Sequence, residues 1–472
     1  MKVLQVLHQF FPTYYGGTET YTAEITRELA KNDQVALLYS EPLSKTPGRL
    51  EKGSFRGVST FVIHKDIRHY VSYTQTYRDL AVEDAFRKVL EEYQPDIVHF
   101  QHLMHLSLGL PEIASSMNIP TVWTLHDYWL QCPLYRRITT GGKLCELVNE
   151  RSCVQCLMEE TTRSKLLGTL LMLARLTGRP GTALLQLARG STLFQDVVNR
   201  NRMARKTAEI AGFLLAPIQY IVKRNRMARR AVEIVDLFLA PTQLLRSEFL
   251  KWGMPAEKIR YSADGIQDEY FRDWRPRSPD GKTRFGFVGF FIPSKGVRVV
   301  VDAFRLLEDD QVALHLFGGF PPRANKMDRR YGEAVLKAAH QDKRIAIEGT
   351  FLPEDIAKIY LKFDVLVVPS LWFENAPLVV KYAMLARIPV IASNLGTFPE
   401  LISHCVNGYL FDPGDRKSLA SFLERTQKSP RDVLLMGQRH PNVKTVKQNA
   451  EELRQIYKSL LTNRGVRRTS SP

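Results

Sequence analysis

The sequence predicts an α/β protein of two doubly wound, Rossmann-like domains facing across a cleft, with a cysteine-rich and basic helical insertion in the first. Three observations carry this prediction. Short β-branched apolar runs alternate with amphipathic helical stretches, the pattern of a parallel sheet whose strands are buried on both faces. The alternation occurs twice, on either side of a Pro-, Gly- and charge-rich stretch at 272–283. A chain of 472 residues is also too long for one average domain.

The first domain is expected over 1–271. Residues 2–7 read as a buried strand, and YYGGTETYTAEITRELA reads as a glycine turn feeding a helix with Tyr21, Ile25 and Leu29 on its apolar face. Gly16 and Gly17 do not form GxGxxG, which disfavours a nicotinamide enzyme. They read first as a tight turn, and alternatively as backbone that lets a phosphate or sugar approach. Further strands are predicted at 33–39, 58–64, 96–100 and 120–125, with helices at 77–93 and around 109–117. The strand at 120–125 ends in His126, Asp127, Tyr128 and Trp129, where such folds keep their ligands. His126 reads equally as a satisfied structural residue.

The rhythm breaks over 132–235, the predicted insertion. Cys132, Cys145, Cys153 and Cys156 are spaced C-x12-C-x7-C-x2-C, far from the fifth cysteine, Cys405. Inside a reducing compartment this fits a structural thiolate zinc site better than disulfides, with free thiols or a redox pair as the alternative. A 24-residue repeat follows: NRNRMARKTAEIAGFLLAPIQ from 199 matches KRNRMARRAVEIVDLFLAPTQ from 223. Two copies are too few for a solenoid. They read as basic helices, each trailed by an apolar LAP segment.

Charge is concentrated in the same region. The formal net charge is +17, and residues 161–230 hold 14 Lys and Arg against Asp196 and Glu209, a local balance of +12. An anionic partner follows from that balance. With the apolar run at 166–174 beside it, the segment suits an anionic membrane surface, or it is a solvated face. Nucleic acid is the weaker reading, because few aromatic residues are interleaved to stack bases. No run approaches the roughly 20 apolar residues of a bilayer span. The N-terminus enters a strand pattern without a signal-peptide cleavage site, so the expected location is cytoplasmic, peripheral on the membrane's inner face if it meets one.

Strand, turn and helix at 238–253 and a last strand at 259–266 close the first domain, and 272–283 is the expected linker. The second domain is expected over 284–445. It opens with a strand at 285–288, a loop at 289–296 and a helix from 297. Strands at 312–317 and 345–348 each lead into glycine. Residues 364–393 then read as strand, loop, helix and strand. Within SLWFENAP, Pro377 falls at a helix's first turn with Asn375 as candidate N-cap, so the loop ends in free backbone N–H groups suited to a phosphate. Glu374 is the odd residue there. A carboxylate beside a phosphate repels it unless it is aimed at neutral hydroxyls, which suggests a sugar-bearing phosphate ligand; otherwise it simply favours the helix N-terminus. A helix at 446–462 and a disordered tail at 463–472 end the chain.

These pieces, GFVGFFIPSKGV, IEGTF, DVLVVPSLWFENAPLVV, PVIASNLGTFPELI and NGYLF, together resemble the family 4 glycosyltransferases of the GT-B fold, and TLHDYWLQCP with its trailing cysteines is similar to a subset of them. The resemblance implies transfer of a sugar from a nucleotide diphosphate sugar, with retention and without an obligatory metal, to a lipid-linked or polysaccharide acceptor. On this resemblance Lys295 is the phosphate lysine, and Asn375, Ala376, Pro377 and Leu378 supply the phosphate-facing backbone. Glu374 is the first glutamate of the E-x7-E motif and holds sugar hydroxyls. His126 lies near the transferred sugar, and Gly16 and Gly17 lie over the phosphate. Acceptor contacts come mainly from the first domain. Two positions depart from the pattern. Tyr382 stands where the second motif glutamate would meet the ribose, and Phe290 stands where a second basic residue often lies. These departures keep open a catalytically degenerate binding or scaffold subunit, and the fold keeps open a sugar-nucleotide epimerase.

Overall fold

Two twisted sheets, each the centre of one domain, form the core of the structure, a computed structural model that describes residues 1–70, 73–139, 145, 149–161, 202–275, 277, 280–322 and 324–469. The first contains β1 (Lys2–Leu7), β2 (Gln34–Glu41), β3 (Leu50–Phe55), β4 (Val58–His64), β5 (Ile97–Phe100), β6 (Thr121–Thr124), β7 (Leu237–Ala240) and β8 (Ile259–Tyr261) in the order β3-β4-β2-β1-β5-β6-β7-β8. All pairings are parallel except β3 with β4. β3, LEKGSF, was not anticipated. It is a polar, largely exposed edge strand without an apolar run to mark it.

Helices α1 (Gly17–Leu29), α2 (Leu80–Tyr93), α3 (Leu110–Ser116), α4 (Glu150–Thr161), α5 (Arg202–Ile234) and α6 (Gln243–Lys251) belong to this domain. Tyr21, Ile25 and Leu29 of α1 are buried, as their spacing predicts. The Asp79 carboxylate caps α2 by accepting from the Ala81 N–H.

The two repeat copies take different structures. In the first, the FLLAP segment at 213–217 lies inside α5, whereas in the second the matching LFLAP at 237–241 forms β7 and the turn after it. The difference lies in their polar flanks. Asp236 accepts from the Thr121 N–H at 2.8 Å, and Thr242 caps α6 through Leu245, but the first copy has Gly212 and Ile218 in those places. The second copy is not simply a basic surface helix either. Ala228, Ala231, Val232 and Val235 enter the first-domain core, and Arg224 is fully buried, donating to the carbonyls of Trp129 and Leu130. Lys223, Arg226, Arg229 and Arg230 face outward. The apolar run at 166–174 and the start of the first copy lie outside the described residues.

The second sheet contains β9 (Thr283–Val288), β10 (Val312–Phe317), β11 (Ile345–Gly349), β12 (Val365–Val368), β13 (Val390–Ser393) and β14 (Gly408–Phe411). Its order is β11-β10-β9-β12-β13-β14, parallel throughout. The order reverses between β9 and β12, which is where ligands of doubly wound sheets bind. Helices α7 (Val297–Phe304), α8 (Lys326–Ala339), α9 (Ile356–Tyr360), α10 (Leu378–Leu385), α11 (Phe398–Leu401), α12 (Arg416–Lys428), α13 (Pro430–Gln438) and α14 (Val446–Thr469) complete the chain.

The joint between domains differs from the expected linker. Ile266 and Phe271 already pack in the second domain's core, and Ile266 meets the returning chain, its N–H donating to Lys444 O at 3.0 Å and its carbonyl accepting from Val446 at 2.8 Å. The Pro- and Gly-rich 272–283 stretch is therefore a surface excursion beyond the joint. α14 returns to the first domain, where Val446, Ala450, Leu453, Ile456 and Tyr457 pack with Val3, Tyr21 and Ile25. It continues seven residues past the expected boundary at 462, since no proline interrupts this stretch and Gly465 is the one glycine before Thr469.

Candidate active site

Lys295 and Glu374 reach one point from two loops. Lys295 follows β9 and Glu374 follows β12, so both leave carboxyl ends of the strands that flank the order reversal. Lys295 Nζ donates to Glu374 Oε1 at 2.6 Å, and Ser370 Oγ donates to the same oxygen at 2.8 Å. The ammonium also stands over the Trp372 ring, 5.3 Å from its centroid. Gly296, φ +66°, makes the turn possible, because a Cβ there would lie 1.8 Å from Pro369 O.

The cleft between the domains gathers Gly16, Gly17 and His126 from the first and Lys295, Glu374, Asn375, Ala376, Pro377, Leu378 and Tyr382 from the second. Gly16 and Gly17 do not form the predicted tight turn. Gly16 is extended, with φ −153°, and Gly17 opens α1. A Cβ on Gly17 would meet nothing within 4 Å, so what glycine preserves there is open space in the cleft.

Asn375 is not the N-cap. Pro377 precedes α10, without a capping side chain, and Asn375 Nδ2 instead donates across the cleft to His126 O at 3.1 Å. The first amides of α10 have no acceptor within the helix, and they open toward the cleft beside Lys295 and Glu374.

His126 is neutral. Burial lowers its pKa to about 4, with the neighbouring His102 and Lys381 adding to the effect and Asp264 and Asp127 opposing it. Its Nε2 lies 2.7 Å from Gln101 Oε1, and a carbonyl oxygen only accepts, so the ring proton is on Nε2 and Nδ1 is an acceptor. Gln101 is fixed in turn by donating to Gln5 Oε1 at 2.8 Å.

Tyr382 lines the cleft, but its hydroxyl is engaged by the first domain, donating to Glu24 Oε1 at 2.8 Å, and its ring stacks on Phe271. Phe290 lies 6.0 Å, ring to ring, from Tyr15 of the first domain. Lys295 is therefore the one lysine or arginine among the described residues lining the cleft.

Three residues at or behind the cleft were not singled out from sequence. Asp264 falls within the strand predicted at 259–266, but it follows β8 and lines the cleft; the polar SADG after a strand end is the signal that marks it. Ser370 and Glu24 show nothing comparable in sequence, because each is defined only by its partner.

Three of the clustered cysteines gather around the fourth, Cys153. Cys153 is buried, and burial pushes its thiol up to about 12, with Cys132, Cys145 and Cys156 near enough to add to the effect. Among the described residues, no three His, Cys, Asp or Glu side chains are set to hold a metal ion.

The chain matches two family patterns, glycosyltransferase family 4 over residues 15–146 and glycosyl transferases group 1 over 269–443. It is 30% identical over 206 residues to the amylovoran biosynthesis glycosyltransferase AmsK of Erwinia amylovora, covering 41% of this chain and 47% of that one. It is 31% identical over 163 residues to a GDP-mannose-dependent alpha-mannosyltransferase of Mycolicibacterium smegmatis, covering 34% and 38%. The chain thus spans less than half the length of these curated relatives. Among solved structures it is similar to HepE of Anabaena in complex with UDP and glucose, with 16% identity, TM-score 0.60 and 97% and 100% of the two chains covered. Sucrose-phosphate synthase of Thermosynechococcus elongatus gives 16% identity and TM-score 0.64, with 98% and 99% covered. These likenesses show the fold. With one pattern on each domain and a GT-B architecture around both, the chain belongs to the family 4 glycosyltransferases.

Proposed function

We propose that the chain transfers a sugar, with retention, from a nucleoside diphosphate sugar to a hydroxyl of a glycan or lipid-linked acceptor. The observation that supports this best is the convergence of Lys295, Glu374 and the N-terminus of α10 at the cleft. As the bond from the sugar to the diphosphate breaks, negative charge grows on the phosphate oxygen. An ammonium and a helix N-terminus stabilise that charge without a metal. The acceptor oxygen forms the new bond, and its proton leaves with the diphosphate. Glu374 holds sugar hydroxyls, and neutral His126 accepts from one through Nδ1.

A thermal-shift screen with UDP, GDP and ADP tests the donor site. A ligand at 100 times its Kd adds about 2.7 kcal/mol of stability, and no shift with any of the three contradicts the reading.

A second reading, a binding subunit without turnover, is favoured by one observation: Tyr382 is committed to Glu24 and offers the ligand no carboxylate. Tight diphosphate binding with no turnover over a panel of acceptors would select it.

Two narrower proposals stand beside these. The outward cations of α5, with the basic segment before them, would rest on the inner face of an anionic membrane; no helix among the described residues is long and apolar enough to cross one. Co-sedimentation with anionic but not neutral vesicles tests this. Cys132, Cys145, Cys153 and Cys156 would hold one structural zinc, supported by their gathering around Cys153. Metal analysis finding no zinc, with all four thiols titratable, would remove it.

A further inference from the structure

The charges lining the cleft are unevenly assigned. Lys295 is its one lysine or arginine among the described residues, and Glu374 already engages it at 2.6 Å. Two more carboxylates, Asp127 and Asp264, line the same cleft, and both lie near enough to bear on the His126 ring. Among the described residues, neither has a cationic side chain bonded to its carboxylate in place of Lys295, although the Lys381 ammonium lies near enough to Asp264 to feel its charge. The Asp127 carboxylate is held by Trp129 N–H at 2.7 Å and by His102 at 3.0 Å. His102 Nδ1 accepts from Met104 N–H at 3.1 Å, so its ring proton is on Nε2 and is donated to Asp127. That fixes the orientation of the carboxylate.

Asp264 is the more unusual of the two. It is 3% exposed, and its Oδ1 has no hydrogen-bond partner among the described residues. The buried Lys381 beside it donates to the Asp264 backbone oxygen at 3.0 Å, leaving the carboxylate free of that contact. A buried carboxylate with an unsatisfied oxygen is costly unless something completes it. A neutral hydroxyl can do so by donating, whereas a second carboxylate brought there has nothing to donate and adds repulsion that the buried setting hardly screens.

We infer that Asp264, with Asp127 across His126, makes this a site for a neutral transferred sugar and excludes a sugar bearing a carboxylate, such as a uronic acid. Asp264 accepts from a hydroxyl of the sugar, and Asp127 adds a fixed negative charge to the same end of the cleft. The diphosphate is served separately, by Lys295 and the α10 amides. This inference rests on the donor-site reading above.

Calorimetry separates the two. UDP, UDP-glucose and UDP-glucuronate, and GDP, GDP-mannose and GDP-mannuronate, are titrated into the wild-type chain and into Asp264→Asn and Asp127→Asn. Within the series whose diphosphate binds, the neutral sugar nucleotide is expected to bind at least about tenfold more tightly than its uronate, the scale of one unscreened like-charge contact. Asp264→Asn, which keeps the shape and the backbone contact to Lys381, narrows that gap to about threefold or less, with the affinity for the diphosphate alone changed less than about twofold. Equal binding of neutral and acidic sugar nucleotides by the wild type, or a gap unchanged in both variants, overturns the inference while leaving the donor site standing. Failure of both diphosphates to bind overturns the donor site and the inference with it.

Discussion

Tyr382 donates its hydroxyl to Glu24 Oε1 at 2.8 Å, and this buried bond joins α10 of the second domain to α1 of the first. The N-termini of both helices open into the cleft, so the bond sets one helix end against the other from about one turn into α10 and two turns into α1. Glu24 Oε2 is buried without a hydrogen-bond partner among the described residues. Tyr382→Phe would strip the Tyr382 hydrogen bond from this buried carboxyl. It is expected to cost about 1–3 kcal/mol in urea unfolding, the scale of leaving a buried acceptor unpaired. An unchanged midpoint would show that the bond contributes nothing to holding the domains.

The same carboxyl gives a pH dependence. Burial raises its pKa to about 7, against the opposing effects of Tyr382, the Gln267 backbone and Arg27, with Tyr270 also facing it. Because the folded value lies above the unfolded one, the folded chain binds more protons between about pH 4.5 and 7. Stability from this group is therefore full at low pH and is lost as pH rises toward 7, by on the order of 3 kcal/mol. Glu24→Gln should flatten that part of the stability profile between pH 5 and pH 8. A wild-type profile that rises over this interval, unaltered in Glu24→Gln, would contradict the assignment.

Glu374→Gln should separate binding from transfer. It removes the anion that holds Lys295, so affinity for a nucleoside diphosphate should rise, by about three- to tenfold for the loss of one adjacent charge. Turnover should fall about ten- to a hundredfold, the scale of one hydrogen bond to a charged group. Parallel loss of both would mean that Glu374 supports the loop and does not meet the sugar.

Gly296→Ala should damage the Lys295 loop. The new methyl group would fall on Pro369 O at a backbone conformation, φ +66°, that side chains disfavour. A destabilisation of about 1–3 kcal/mol is expected, with weaker diphosphate binding. Wild-type stability and affinity would show that the loop has slack.

Much of the second domain was legible because its signals are local. The strand, loop, helix and strand at 364–393 are contiguous, and the strand at 312–317 and the loop before α7 fall where apolar runs and glycines place them. Glu374 could be read because it sits in the loop after such a strand, and Lys295 through the SKG piece that carries the family resemblance. What was hidden depends on distant partners. Glu24 and Tyr382 are separated by 358 positions, and nothing in either neighbourhood marks the pair. Asn375 has the chemistry of an N-cap, yet His126 in the other domain claims its side chain. The repeat shows the same limit most clearly. Two nearly identical apolar segments become helix and strand because only one of them has Asp236 and Thr242 beside it.

The central claim is that Lys295 stabilises a departing diphosphate. It is tested most directly by measuring kcat/KM for release of nucleoside diphosphate from the best UDP- or GDP-hexose donor, in the wild type and in Lys295→Ala, with folding checked by thermal melts. A loss of about a hundred- to a thousandfold is expected, the scale of removing one preorganised electrostatic donor. Turnover equal to wild type in a folded Lys295→Ala protein would contradict the account.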